Sequence, residues 1–196
     1  MAEKRFLIAS NNAHKIEEFK KIFDLLGFEL ITPKMLGISC DPDENGSTFE
    51  ENSLIKAREF FKLSGIPTVA DDSGLCVDAL NGEPGIYSAR YGGMKDDTER
   101  LFFLLSNIKD KKNRKAHFAC AIACILDDKT EFTVRGNVYG TIIDAPKGEC
   151  GFGYDPIFVP DGFDNTFAEM SDTQKNEISH RAVALRLFSE KIKELY

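Results

Sequence analysis

Two short stretches carry the side chains best suited to chemistry. FEENSLIKA, Phe49 to Ala57, opens with carboxylates and sets a lysine one turn further on; about twenty residues later VADDSGL, Val69 to Leu75, runs an apolar strand into two adjacent aspartates. On a helix, Asn52 and Lys56 share a face, while Glu51 lies about 100° round from Asn52. A carboxylate in a first turn is already favoured by the helix dipole, so Glu50 and Glu51 need no ligand to account for them. Asp71 and Asp72 on an extended chain point to opposite sides, which predicts that one acts on a ligand and the other is structural. If Glu51 and Asp72 converge, their oxygen-only donors suit Mg²⁺, which keeps several waters and takes further ligands from phosphates. The alternative for Asp71, Asp72 and Ser73 is a turn stabilised by their own side chains.

A second cluster is SNNAHK, Ser10 to Lys15. A strand that ends in small polar residues and opens a helix presents backbone N–H groups and a positive dipole end to an anion, and Lys15 reaches the same place. The plainer reading is an Asn N-cap with a solvated lysine. The stretch is not glycine-rich, so it is neither a Walker A loop nor a Rossmann fingerprint. The third cluster is GFGYDPIF, Gly151 to Phe158, with SDTQKNEISHRAVAL, Ser171 to Leu185. Phe152 and Tyr154 are candidates to stack on a base, Asp155, Ser179, His180 and Arg181 to read its edge, and Lys175 to contact phosphate. Lys175, His180 and Arg181 precede the apolar stripe of the last helix, so packing does not account for them.

The elements that must position these groups follow from periodicity. RFLIAS reads as a buried strand leading into a helix with Ile16, Phe19, Ile22, Phe23 and Leu26 at helical spacing and Gly27 as its stop. FELITP is the next strand. A loop over 37–46 precedes a helix capped by Ser47 or Thr48, with Leu54, Ala57, Phe60, Phe61 and Leu63 as its stripe and Gly65 and Pro67 at its end. TVADDSGLCVDAL reads as a strand interrupted or bent at Ser73-Gly74, and NGEPGIYSARYGG as an ordered loop. A helix from about Thr98 to Ile108 comes before two long strands, Ala116 to Leu126 and Glu131 to Ile143, joined by DDKT as a hairpin. A short strand around Pro156 to Val159, a loop, and a helix from about Ser179 to Leu195 follow. The class is α/β with a mixed sheet.

Composition excludes several function classes. The chain has 196 residues, 42% of them hydrophobic and 29% charged, enough for one domain or one domain with two lobes. The net charge of -7 argues against a nucleic-acid polymer as the main partner, and the basic run Lys109 to Lys115 reads as a solvated loop. A few converging lysines still allow a small anion. Five cysteines form no CxxC; Cys120 and Cys124, four apart on a strand, stand roughly 13 Å apart, too far for a disulfide or a shared zinc. That usage fits a reducing cytoplasm. No signal peptide and no apolar span of membrane length are read from the sequence.

Taken together, SNNAHK, TFEENSLIKA, ADDSGLCVDALNGEPGIYSARY, GFGYDPIF and SDTQKNEISHRAVAL, in this order from Ser10 to about Leu185, resemble the inosine triphosphate pyrophosphatase family, also called Ham1-like proteins. The resemblance implies a single two-lobed domain over 1–196, an elongated α/β fold around a long curved mixed sheet with flanking helices, an active site in the cleft between lobes, and a homodimer. It implies Mg²⁺-dependent hydrolysis of noncanonical purine nucleoside triphosphates, ITP, dITP and XTP, to monophosphate and pyrophosphate, which clears deaminated purines before polymerases use them. Carried over residue by residue, Ser10, Asn11, Asn12, Ala13, His14, Lys15, Lys56 and Lys175 become phosphate contacts and Glu51 and Asp72 metal carboxylates. Asp72 is then the proton acceptor and Lys15 its catalytic companion. Ser73, Phe152, Gly153, Tyr154, Asp155, His180 and Arg181 complete the substrate site. The family usually has Glu where Gln174 stands, and often Trp where Tyr154 stands. Two other readings are a nucleotide sensor without turnover and a Maf-like pyrophosphatase with different base specificity.

Overall fold

The computed structural model describes residues 5–195; residues 1–4, on which the reading of a leaderless N-terminus partly rests, lie outside the described residues. The chain forms a six-stranded sheet in the order β2-β1-β3-β4-β5-β6, built from β1 (Arg5–Ile8), β2 (Glu29–Ile31), β3 (Thr68–Val77), β4 (Lys115–Asp127), β5 (Thr130–Ile142) and β6 (Phe158–Pro160). β1 runs parallel to both β2 and β3, whereas β6 is antiparallel to β5, so the sheet is mixed. The helices are α1 (Ala13–Leu26), α2 (Phe49–Ser64), α3 (Asp97–Asn107), α4 (Asp172–Ile178) and α5 (His180–Leu195). Among the described residues no helix is long and apolar enough to cross a membrane, and none of the cysteines is in a disulfide.

The chain divides into two compact units. The first comprises the described residues up to Asp72, with Ala121–Arg135 and the chain from Ala184 onward; the second comprises Ser73–Cys120 and Gly136–Val183. In the first unit, alternation along the strands sends neighbours to opposite faces. α2 covers one face, where Ala57 and Phe60 pack with Leu7, Ala9 and Ala70. On the other, Phe6 meets Phe23 of α1 edge-on at 5.3 Å, and Phe23 stacks on Phe188 of α5 at the same distance. Helix ends follow the sequence signals: Gly27 and Gly65 take left-handed backbone at the C-termini of α1 and α2. The second unit is built on Leu75, Val77, Leu101, Leu104, Phe118 and Phe158, with Phe118 edge-on to Phe158 at 4.8 Å.

Four expectations need correction. β3 is continuous through Ser73 and Gly74 rather than interrupted, and the glycine serves close approach: a Cβ at Gly74 would lie 2.4 Å from both the Gly85 carbonyl oxygen and Ser88 Oγ. The glycine-rich stretch after β3 is not all loop, because Gly85–Gly93 winds into 3-10 turns. A further helix, α4, fills what read as a loop before α5; its capping box, Ser171 with Gln174, was visible in SDTQ and passed over. The final strand also begins later than expected, since Asp155–Ile157 is a 3-10 turn. The close contact makes a testable case: Gly74→Ala forces the 3-10 segment off β3, and urea unfolding is expected to show a loss of about 1–3 kcal/mol.

Candidate active site

The turn after β1 is a helix cap. Asn12 is extended, and its Oδ1 accepts hydrogen bonds from the backbone N–H groups of His14 (3.0 Å) and Lys15 (3.2 Å), while Ser10 Oγ accepts from Asn12 N–H at 3.2 Å. The plainer reading of SNNAHK therefore holds for the asparagine. It does not hold for the lysine: Lys15 Nζ lies 2.9 Å from Asp71 Oδ2, with the Asp71 side chain 1% exposed. Asn11, Ala13 and His14 are exposed beside it.

Thr48 caps α2 by accepting from Glu51 N–H at 3.1 Å. One turn along, two side chains of the buried face meet Asp72. Asn52 Nδ2 donates to Asp72 Oδ2 at 3.2 Å, and Lys56 Nζ stands 3.8 Å from Asp72 Oδ1 and 3.1 Å from Glu44 Oε2. The adjacent aspartates take different nearest partners: Asp71 engages Lys15 of α1, and Asp72 engages Asn52 and Lys56 of α2. Burial pushes the Asp72 carboxyl above its ordinary range, against the opposing pull of Lys56.

Glu44 was missed by sequence reasoning. It sits in an irregular loop with no periodicity, and its one signal is Gly46 two residues on. A Cβ at Gly46 would lie 2.7 Å from Glu51 Cβ and 2.8 Å from Asn52 Oδ1, and the Gly46 N–H donates to that Oδ1 at 2.9 Å. Glycine thus lets the loop lie on α2 and bring Glu44 to Lys56. The carboxylate of Glu51, the residue first paired with Asp72, accepts from Ser47 N–H (2.6 Å) and Ser47 Oγ (2.7 Å), and these bonds hold its pKa below the ordinary range. Lys15 thus pairs with Asp71, and Lys56 with Asp72 and Glu44. Carboxylate oxygens such as those of Asp72 and Glu44, which share Lys56, are of the kind that suits a hard divalent cation. Among the described residues no group of three or more His, Cys, Asp or Glu gathers where it could hold a metal ion.

In the second unit the GFGYDP turn separates its two aromatics. Phe152 is 41% exposed, whereas Tyr154 is buried in the core and donates its hydroxyl to the Ser88 carbonyl at 3.0 Å. Stacking by Tyr154 is therefore a corrected expectation: the ring is an anchor, and its departure from tryptophan does not weaken a stack it does not make. Asp155 Oδ2 accepts from Phe152 N–H at 2.8 Å and from Lys175 Nζ at 2.6 Å, and Lys175 lies 5.0 Å above the Phe152 ring. Lys175 is thus engaged with the turn here rather than standing free for phosphate. His180 and Arg181 are buried, contrary to the idea that packing leaves them aside; His180 stacks on Phe118 at 4.8 Å and 11°, and Arg181 Nη2 reaches Ser73 Oγ at 3.4 Å. Gln174 completes the α4 capping box as a glutamate would.

The Ham1 family model matches residues 6–191. The chain belongs to the Ham1 family. It is 45% identical over 186 residues to the dITP/XTP pyrophosphatase of Leptospira interrogans, across 93% of this chain and 94% of the relative. The solved Ham1 protein of Staphylococcus aureus matches with a TM-score of 0.92 at 43% identity, covering 98% of this chain and 100% of that one. A nucleoside-triphosphatase and dITP/XTP pyrophosphatase from Mycobacterium abscessus matches at 0.80 and 41%, covering 94% and 98%. These matches carry the α/β fold and the mixed sheet across nearly the whole Ham1 chain.

Two predictions follow from the paired charges of this Ham1 protein. Lys15→Met leaves Asp71 buried without its cation, and chemical unfolding is expected to show a loss of about 3–5 kcal/mol. For Asp72 the folded pKa is the raised one, so its contribution to stability is present below the unfolded value of about 4 and is lost as pH rises through the folded value. Metal-free Asp72→Asn is accordingly expected to unfold at a higher urea concentration than the parent at pH 8, with the difference closing toward pH 4.

Proposed function

We propose that this Ham1 protein hydrolyses dITP, ITP and XTP to the nucleoside monophosphate and pyrophosphate, and so removes deaminated purines from the nucleotide pool. The observation that carries the reading is the pairing of Asp71 with Lys15 and of Asp72 with Lys56, Asn52 and Glu44: cations to meet a triphosphate beside a carboxylate able to take a proton. Family membership and the names of the relatives support the substrate class.

In the reaction a water oxygen bonds to the α-phosphorus while the bond from that phosphorus to the bridging oxygen of pyrophosphate breaks. Asp72 accepts the proton of the water; burial has already moved its carboxyl toward the range in which a general base works at neutral pH. Lys15 and Lys56 exchange their carboxylate partners for phosphate oxygens and take up charge on the leaving pyrophosphate. Mg²⁺, held by Asp72 with Glu44 or Glu51, would neutralise the triphosphate and polarise its oxygens. The geometry favours Glu44, because Glu51 already serves Ser47.

Base choice belongs to the second unit. Hypoxanthine and xanthine carry a carbonyl at position 6, where adenine carries an amino group. Donors from Arg181, His180 or the GFGYDP backbone pair with the carbonyl and are left unsatisfied by adenine, a mismatch that discriminates strongly. Phe152 supplies the exposed ring for stacking. We further propose a homodimer that works in the cytoplasm, supported by the family resemblance and by thiols outside disulfides.

The deciding experiment measures pyrophosphate and phosphate release from dITP, XTP, dGTP, dATP and dUTP with Mg²⁺ and with EDTA. Metal-dependent pyrophosphate from dITP and XTP is expected, and Asp72→Asn should slow it at least about 100-fold while nucleotide binding persists. Stepwise phosphate release would refute attack at the α-phosphorus, and binding without turnover would make the protein a sensor.

A further inference from the structure

The turn from Gly151 to Asp155 is tied to its own unit by three side chains or backbone groups from other elements. Lys175 of α4 holds Asp155, the Ser88 carbonyl holds the Tyr154 hydroxyl, and Asp97 of α3 accepts the Gly153 N–H through Oδ2 at 2.9 Å. Gly153 has left-handed backbone (φ 61°), so its peptide is oriented by the turn and by that bond rather than by a side chain of its own. Asp97 Oδ1 in turn pairs with Arg100, whose Nη1 donates to the Met94 carbonyl at 3.0 Å, fixing the carboxylate against the start of its helix. Asp97 is not needed as a cap, because Asp96 already accepts from Glu99 N–H at 2.8 Å. Nor does the core need it, since its side chain is 48% exposed.

A carboxylate in the first turn of α3 is favoured by the helix dipole, but that preference does not dictate its aim at the amide beside the exposed Phe152 ring. We propose that Asp97, steadied by Arg100, is a positioning residue for base recognition: it sets the Gly153 peptide and thereby the attitude of Phe152. This rests on the reading of the GFGYDP turn as the base-recognition surface. The bond acts on how the base is held and not on the phosphorus chemistry, so its loss weakens binding and selectivity while the chemical step is kept.

The test uses the full chain with Mg²⁺ and compares the parent, Asp97→Ala and Asp97→Asn. With dITP, Asp97→Ala is expected to raise KM about tenfold with kcat within about twofold, and to narrow the preference for dITP over dGTP. Asp97→Asn keeps a carbonyl oxygen for the Gly153 N–H and is expected to recover most of the lost KM. Independently of turnover, amide hydrogen exchange across residues 151–155 should quicken in Asp97→Ala and stay near the parent's rate in Asp97→Asn. A parent-like KM and exchange in Asp97→Ala, or a fall in kcat at unchanged KM, would overturn the proposal. A parent that releases no pyrophosphate from dITP would instead sink the functional reading and the positioning role with it, and the exchange measurement would then show whether the tie holds the turn at all.

Discussion

Two neighbouring carboxylates on a buried strand each require a cation, and the first unit is organised around that requirement. Removing an ionised carboxylate from water costs several kcal/mol unless a close partner offsets it. Adjacent strand residues face opposite ways, so Asp71 and Asp72 take their nearest lysines from different helices. The chain supplies one from each side. Lys15 comes from α1, which packs over Phe6, and Lys56 from α2, which packs over Leu7, Ala9 and Ala70. The apolar stripes set how the two helices lie on the strands, and the charges set where along them each helix must begin. The Asn12 and Thr48 caps fix those starting points.

The second unit solves a different problem, that of keeping a polar turn rigid at the surface. Its means are unlike those of the first. Gly151 and Gly153 take backbone that other residues resist, and Gly151 has no room for a Cβ, which would lie 2.2 Å from Asp155 Oδ2. Tyr154 points inward as a bolt, Phe152 outward as a plate, and the alternation of the two along a short turn gives the same sequence motif an anchor and a contact surface. His180 and Arg181 of the same unit are buried, and His180 is held in one plane by its stack on Phe118.

Much of this was legible in the sequence because the signals were local. Helix stripes, Gly27 and Gly65 as stops, Thr48 as a cap and the hairpin at DDKT each depend on a few neighbouring residues, and each appears where the pattern put it. The divergence of Asp71 and Asp72 was equally local, resting on strand geometry alone. What could not be read depended on approach between distant segments. Glu44 lies in a loop whose course is set by contact of Gly46 with α2; Tyr154 faces inward because Ser88, sixty-six residues earlier, offers it a carbonyl; and Asp97 meets Gly153 across fifty-six residues. Gly74 was misread for the same reason, since a strand-breaking residue and a residue that admits a crossing backbone look identical in one dimension.

The same constraint explains how an acidic protein can hold two lysines in fixed, largely buried positions. An exposed lysine would be mobile and screened by water, whereas Lys15 and Lys56 are 17% and 13% exposed and are oriented by carboxylates before any ligand arrives. Their ordering and desolvation are thus completed by folding, before any ligand is considered. Burial sets the terms for Asp72 as well: it raises the carboxyl above its ordinary range against the pull of Lys56, so the strand forgoes stability at that position as pH rises.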